Sequence, residues 1–329
     1  GSNDPDESTY TVSFSGQAAE NIILYVPSEY PTISAAIDSA FQQDTIEVAP
    51  GTYEGSISLL DKNLVFRGSG RANETLLQGD GTGPVVTVSG GQNSTTIISH
   101  FTIIGGGGTQ GGGIKIDGSS TPVLHHLILA ANAVSGNGGG IAILSGGADV
   151  SFTTISNNTA GGNGGALYAA ASASVVLNHS ILWGNGNTEI GSFGNVATSY
   201  SIVGGGVEGT GNLDLDPLFV NGPSLDFSLQ WESFGIDGGD PAGELNQDGT
   251  VADMGALDYD QSFQPPDPVV AFSGVGGNGF IDLSWSEPVD PRGSPNEDVL
   301  DYTLLRATGS GLFDTLAVLA TTETVFQDQ

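Results

Sequence analysis

Arg67, Arg71 and Lys115 are the residues of this chain suited to β-elimination on an acidic sugar, a reaction that needs a base and a cation to neutralise the acid. In a polysaccharide lyase one of the three would abstract the proton α to a uronate carboxylate and another would hold that carboxylate. The competing expectation is structural: Arg67 and Arg71 pair with the nearby Glu74 or Asp80. Glycoside hydrolysis would instead need two carboxylates facing one bond. Between Gly81 and Thr188 the only ionised side chains are Lys115, Asp117 and Asp149, and no further carboxylate backs the two aspartates.

Three other sets of side chains could bind. His100, His126 and His179 precede similar segments, spaced 26 and 53 residues apart, with His125 adjacent. Stacked imidazoles could hold a metal, although Phe152 takes the intervening position. Asp237, Asp240, Glu244, Asp248 and Asp253 fall within 17 residues. They read either as a structural Ca2+ site, with Asp237, Asp240, Asp248 and Asp253 as ligands, or as a solvated closing loop. Trp183, Tyr168 and Tyr200 are candidates for stacking on sugar rings, against a plain packing role. No cofactor is required by any of these readings.

The composition narrows the partners. With 37 acidic and 6 basic residues the formal net charge is −31, which repels phosphate, so nucleic acid and anionic lipid are poor partners and neutral glycans or divalent cations remain. There is no cysteine, so thiolate chemistry is excluded. No run approaches 18 apolar residues, and no membrane span is expected. Gly reaches 52 of 329 residues, beside 38% hydrophobic content, which points to many short strands joined by tight turns.

The elements that position these residues follow from an internal repeat. Leu127-Ile-Leu-Ala-Ala-Asn132 recurs as Thr153-Thr-Ile-Ser-Asn-Asn158 and Ser180-Ile-Leu-Trp-Gly-Asn185, so the final Asn residues lie 26 and 27 apart. Gly111-Gly-Gly-Ile114 returns as Gly138-Gly-Gly-Ile141 and Gly164-Gly-Ala-Leu167 with spacings of 27 and 26. That period fits one solenoid coil of short strands. Aligned coils would place Asn132, Asn158 and Asn185 in a ladder of side-chain amides. The Gly-Gly-Gly-Ile block predicts a corner before an inward aliphatic. Residues 31–41 predict an amphipathic helix, with Ile33, Ile37, Ala40 and Phe41 on one face, covering the first coil.

Val26-Pro-Ser-Glu-Tyr-Pro-Thr-Ile-Ser-Ala-Ala-Ile-Asp38, Asp44-Thr-Ile-Glu-Val-Ala-Pro-Gly-Thr-Tyr53 and Lys62-Asn-Leu-Val-Phe-Arg-Gly68 resemble the opening of pectin-lyase-like β-helix proteins. Asp216-Pro-Leu-Phe219, Asp226-Phe-Ser-Leu229, Ile236-Asp-Gly-Gly-Asp-Pro241 and Asp253-Met-Gly-Ala256 are similar to the closing segment of bacterial secreted or surface β-helix proteins. The resemblance spans residues 22–260 and implies a right-handed parallel β-helix. It leaves activity open, because that superfamily includes lyases, hydrolases, esterases, adhesins and inert stalks. The hydrolase signatures of the fold, paired aspartates and a Gly-His-Gly, are missing, as is the lyase pattern of acidic ligands beside Arg and Lys.

The expected organisation is an N-terminal extension over 1–21, the all-β right-handed helix with its capping α-helix over 22–263, a Pro-rich linker over 264–268, and an incomplete fibronectin type III-like β-sandwich over 269–329. That last module needs about 100 residues, so the sequence predicts further domains of the same polypeptide beyond Gln329, or completion by a partner. The functional expectation is a non-catalytic, extracellular or cell-surface module that binds or displays, with extracellular glycans or cell-surface ligands as partners. A carbohydrate-active enzyme, foremost a lyase, and a structural subunit of an extracellular assembly are the alternatives.

Overall fold

The computed structural model describes residues 21–186, 188–246, 248–261, 270–276, 281–286, 301–308, 312–320 and 324–328. Residues 21–186 and 188–205 wind into a parallel β-helix. In the first sheet, strands stack in chain order through the register Ile23, Thr45, Val65, Ile97, Val123, Asp149, Val176 and Ala197. A second sheet continues from the first at a bend. It stacks Thr102, Ile128, Thr154, Ile181 and Ile202. A third stacks Ile57, Val86, Ile114, Ile141, Leu167 and Ile190. Every one of these pairings is parallel, as rungs of a solenoid require.

Alternation along each strand decides what goes inside. Ile46, Phe66, Ile98, Leu124, Val150 and Leu177 occupy one register column and are fully buried. Ile114, Ile141 and Leu167 face them from the third sheet, also fully buried. Each such side chain removed from water contributes about 1.5–3 kcal/mol. Gly111, Gly138 and Gly164 turn the corner before that column with φ of +65°, +69° and +68°, where a side chain would be strained.

The helix is shorter than its sequence pattern, Ile33–Ser39, and starts where the Thr32 hydroxyl accepts the Ala35 amide at 3.1 Å. Ile33, Ala36 and Ile37 enter the common core, whereas Phe41, expected on the same face, is 70% exposed beyond the helix end.

After the last coil the chain folds back. Phe227, Leu229, Ile236, Met254, Ala256 and Leu257 pack on the outer face of the second sheet, against Ile128, Ile181 and Ile202. The Ala256 amide donates to Thr154 Oγ1 at 3.0 Å, and the Gly255 amide to the His179 carbonyl at 2.8 Å. The expected linker 264–268 lies outside the described residues. Beyond it, Val270–Gly276, Ile281–Ser286 and Val325–Asp328 form an antiparallel sheet, and Asp301–Thr308 pairs with Leu312–Ala320. Trp285 sits between Phe272 and Tyr302, so the two sheets meet at its ring.

Candidate functional site

Two ladders run along the solenoid. In the first, Asn132 Nδ2 donates to Asn158 Oδ1 at 2.9 Å, and Asn158 Nδ2 donates to Asn185 Oδ1 at 2.8 Å. Each amide also donates to a carbonyl of the preceding coil, that of Ile103, Leu129 or Ile155. All three asparagines are buried. The sequence gives no sign of how the row ends. The coil after Asn185 is shortened, and Glu189 takes the next rung, accepting the Asn185 amide at 3.1 Å and its Nδ2 at 2.6 Å. Burial pushes the Glu189 carboxyl up, against the pull of those donors.

The second ladder marks the bend between the first and second sheets. His100, His126, Phe152, His179 and Tyr200 all hold left-handed backbone, with φ between 45° and 61°. Their rings stack from coil to coil, with centroids 5.0, 5.0, 4.7 and 5.7 Å apart and planes within 14° of parallel. Ring faces therefore cover one another and ring edges look outward. Just before the bend, an outward column on the first sheet reads Glu47, Arg67, Ser99, His125, Ser151, Asn178 and Ser199.

The fold-back gives this face an opposite wall. Asp240, Gly243 and Glu244 come up against His125, His126, Asp149, Ser151, Phe152, Asn178 and His179 to bound an open groove of about 460 Å³. The Asp240 amide donates to His179 Nε2 at 3.0 Å, which fixes that imidazole as the neutral Nδ1–H form. His125 Nδ1 and His126 Nδ1 lie 3.0 Å apart, so one donates and the other accepts. Burial holds all four histidines below their ordinary range, His126 down to about 4. For His125 and His179 the carboxylate of Glu244 partly opposes this.

A depressed histidine makes the fold acid-sensitive. The unfolded chain binds a proton below about 6.5, the folded one at His126 not until about 4, so stability falls as pH drops through that window. Phe152 already occupies the same kinked, stacked position one coil on. His126→Phe is therefore expected to gain stability relative to wild type at pH 5 compared with pH 8. Paired thermal melts at the two pH values check this; an equal difference at both would contradict it.

No protein-family model matches the chain, and no curated protein matches it. Among solved structures, the crystal structure of the pectin methylesterase from Aspergillus niger is similar at 13% identity, covering 61% of this chain and 85% of that one, with a TM-score of 0.30. The parallel β-helix described above rests on its own strand register, not on that likeness.

Several sequence expectations change in the folded chain. Arg67 pairs with Glu47, Nη2 to Oε2 at 2.6 Å, not with Glu74 or Asp80. It stands in the His125 column two rungs away, roughly 10 Å along the stack, while Lys115 lies on the third sheet beside Thr87 and Ala142. Arg71 sits near Asp258 and lowers its carboxyl, opposing the larger effect of burial. The three cations thus form no common site.

The acidic run does not converge either. Asp253 is buried, accepts the Asp237 and Tyr259 amides at 2.7 and 2.6 Å, and is pushed up to about 7 chiefly by burial. Asp240 and Asp248 each close a local turn by accepting the Ala242 and Thr250 amides. Among the described residues no group of three or more His, Cys, Asp or Glu side chains is placed to hold a metal ion.

Trp183, Tyr168 and Tyr200 make no shared platform. Tyr200 ends the ring ladder, Trp183 packs with it against the fold-back cluster, and Tyr168 meets Phe193 edge-on from the third sheet. The groove residues Asp240 and Glu244 were visible in sequence only as part of an acidic run. Their approach to the middle coils shows in no periodicity.

Proposed function

We propose that this chain is a secreted or cell-surface right-handed β-helix module whose groove binds glycans without turning them over. The observation that carries the reading is the lining of the groove. It combines three carboxylates, neutral imidazoles, Ser151 and Asn178 with no Lys or Arg. Such a surface offers many acceptors and some donors to sugar hydroxyls, and nothing in it neutralises a uronate. The short helix closes the first coil, and the C-terminal strands are read as part of a fibronectin type III-like module.

Calorimetric titration against a panel of neutral and uronate oligosaccharides tests this, with ultraviolet absorbance monitored for unsaturated product. The expected result is saturable binding of neutral sugars, no absorbance change, and affinity lower by about tenfold in Asn178→Ala, the loss of roughly one hydrogen bond. Binding confined to uronates, or product formation abolished by Lys115→Ala, would overturn the reading.

One observation favours a hydrolytic alternative. Asp149 on the coil wall and Asp240 and Glu244 on the fold-back place carboxylates on both sides of one groove. New reducing ends released from a bound oligosaccharide, and lost in Asp149→Asn, would support it.

A further inference from the structure

The returning segment carries a loop, residues 240–246 and 248–251, whose neck is pinned to the coils at His179. The Asp240 amide donates to His179 Nε2 at 3.0 Å. A Cβ at Gly239 would lie 2.8 Å from His179 Cδ2, so the backbone there runs directly against the ring edge. Below the neck the segment is held differently. The Gly239 amide donates to the Ala252 carbonyl and the Gly255 amide to the His179 carbonyl, and Met254, Ala256 and Leu257 are buried. Beyond the neck, residues 241–245 are exposed. The Ala242 amide closes a turn on Asp240 Oδ1, and the Gly243 amide closes another on the Asp240 carbonyl. This loop nevertheless supplies Asp240, Gly243 and Glu244 as one wall of the groove.

We propose that this loop is an acid-released latch: a proton on His179 Nε2 removes the acceptor of the Asp240 amide, frees the loop from the coils and opens the groove, whatever the groove binds. In the neutral ring Nδ1 already carries hydrogen, so Nε2 is the nitrogen that an incoming proton must take. In the imidazolium both nitrogens are donors, and two hydrogens would face each other across the 3.0 Å gap. The groups around the ring set the sign. Phe152 and Tyr200 cover its two faces from the neighbouring coils, with centroids 4.7 and 5.7 Å away. Asn178 Oδ1 lies 3.4 Å from Nδ1. Asp149 stands on the coil wall of the same groove with His125 and His126, the latter beyond the Phe152 ring. Asp240 and Glu244 favour the charged imidazole, yet burial outweighs them and holds His179 below its ordinary range. The closed latch therefore binds a proton less readily than an imidazole in water, and falling pH favours the open form. Asp253, deeper in the same segment, has the opposite sign. Its carboxyl is pushed up to about 7, chiefly by burial, so acid strengthens the seat at the base of the loop. Release is thus confined to the loop.

Hydrogen exchange of the full chain at about pH 7.5 and about pH 4.5, with rates corrected for the intrinsic effect of pH, tests this. Protection over residues 240–246 is expected to fall at least about tenfold at the lower pH, the loss of roughly one hydrogen bond, while residues 252–257 stay protected. His179→Phe introduces the ring that Phe152 already places in this stack and has no acceptor, so its loop is expected to exchange fast at both pH values. His126→Phe leaves the latch ring in place and should keep the wild-type step. A wild-type loop equally protected at both pH values would overturn the proposal. A step that survives in His179→Phe or is lost in His126→Phe would do the same, because another group would then be titrating. Exchange that rises together over 240–246 and 252–257 would also overturn it, because the whole segment would then be unfolding.

Discussion

Asn158→Asp is expected to destabilise the β-helix by at least about 3 kcal/mol near neutral pH, as breaking a buried polar network does. The change is nearly isosteric, so packing is preserved and only hydrogen-bond polarity is inverted. Asn158 Oδ1 receives the Asn132 amide and Nδ2, and that half survives in a carboxylate. Asn158 Nδ2 donates to Leu129 O at 2.8 Å, Asn185 Oδ1 at 2.8 Å and Ser156 O at 3.1 Å. In the variant an oxygen would face those three oxygens in a site fully closed to water. A melting temperature lower by roughly 10 °C is the measurable consequence. The sign of the pH dependence follows. The introduced carboxyl would be raised in the folded state, so its penalty is relieved below the unfolded value of about 3.9 and grows as pH rises through the folded one. Melts of wild type and variant should converge toward pH 4. A constant difference, or none, would mean that the ladder does not hold the coils in register.

Gly165→Ala should be nearly as damaging for a steric reason. A Cβ at Gly165 would collide with the Asn185 carbonyl and crowd the Asn185 Cβ. Both are fixed, because Asn185 is tied to Asn158, Ile155 and Glu189. Relief requires two coils to part, and a loss above about 3 kcal/mol is expected. Gly81→Ala supplies the contrast. Gly81 has φ of +79°, and a Cβ there would meet nothing within 4 Å, so only backbone strain of about 1–2 kcal/mol applies. Denaturant unfolding of the two variants should separate them clearly. Comparable losses would show that coil spacing at Gly165 is not tight.

These variants also show what was legible in the sequence. The spacing from Asn132 to Asn158 to Asn185 is the coil register itself, because neighbouring strands pair at the same offsets, Ile128 with Thr154 and Thr154 with Ile181. A solenoid writes its geometry as period, and period survives in one dimension. Part of the ring ladder was visible for the same reason, through His100, His126, Phe152 and His179. Tyr200 falls outside that period because the last coil is shorter: Asn178 pairs with Ser199, 21 residues on.

The groove was not legible. It depends on contacts between Asp240 and His179, 61 residues apart, and between Ala256 and Thr154, 102 apart. Such contacts are made once and repeat nowhere. Counting charges along the central coils therefore left out Asp240 and Glu244, which arrive from the fold-back. The pairing of Arg67 was missed similarly, since Glu47 is its neighbour across coils and not along the chain.

The claim on which the functional account stands is that ligand enters the groove between the coils and the returning segment. Hydrogen exchange with and without a saturating neutral oligosaccharide from the calorimetric panel locates binding directly. The expected result is slowed exchange confined to peptides covering residues 123–126, 149–152, 178–179 and 240–244. Protection centred instead on the third-sheet face around Tyr168 and Phe193, or no protection at a concentration that saturates the calorimetric signal, would contradict it.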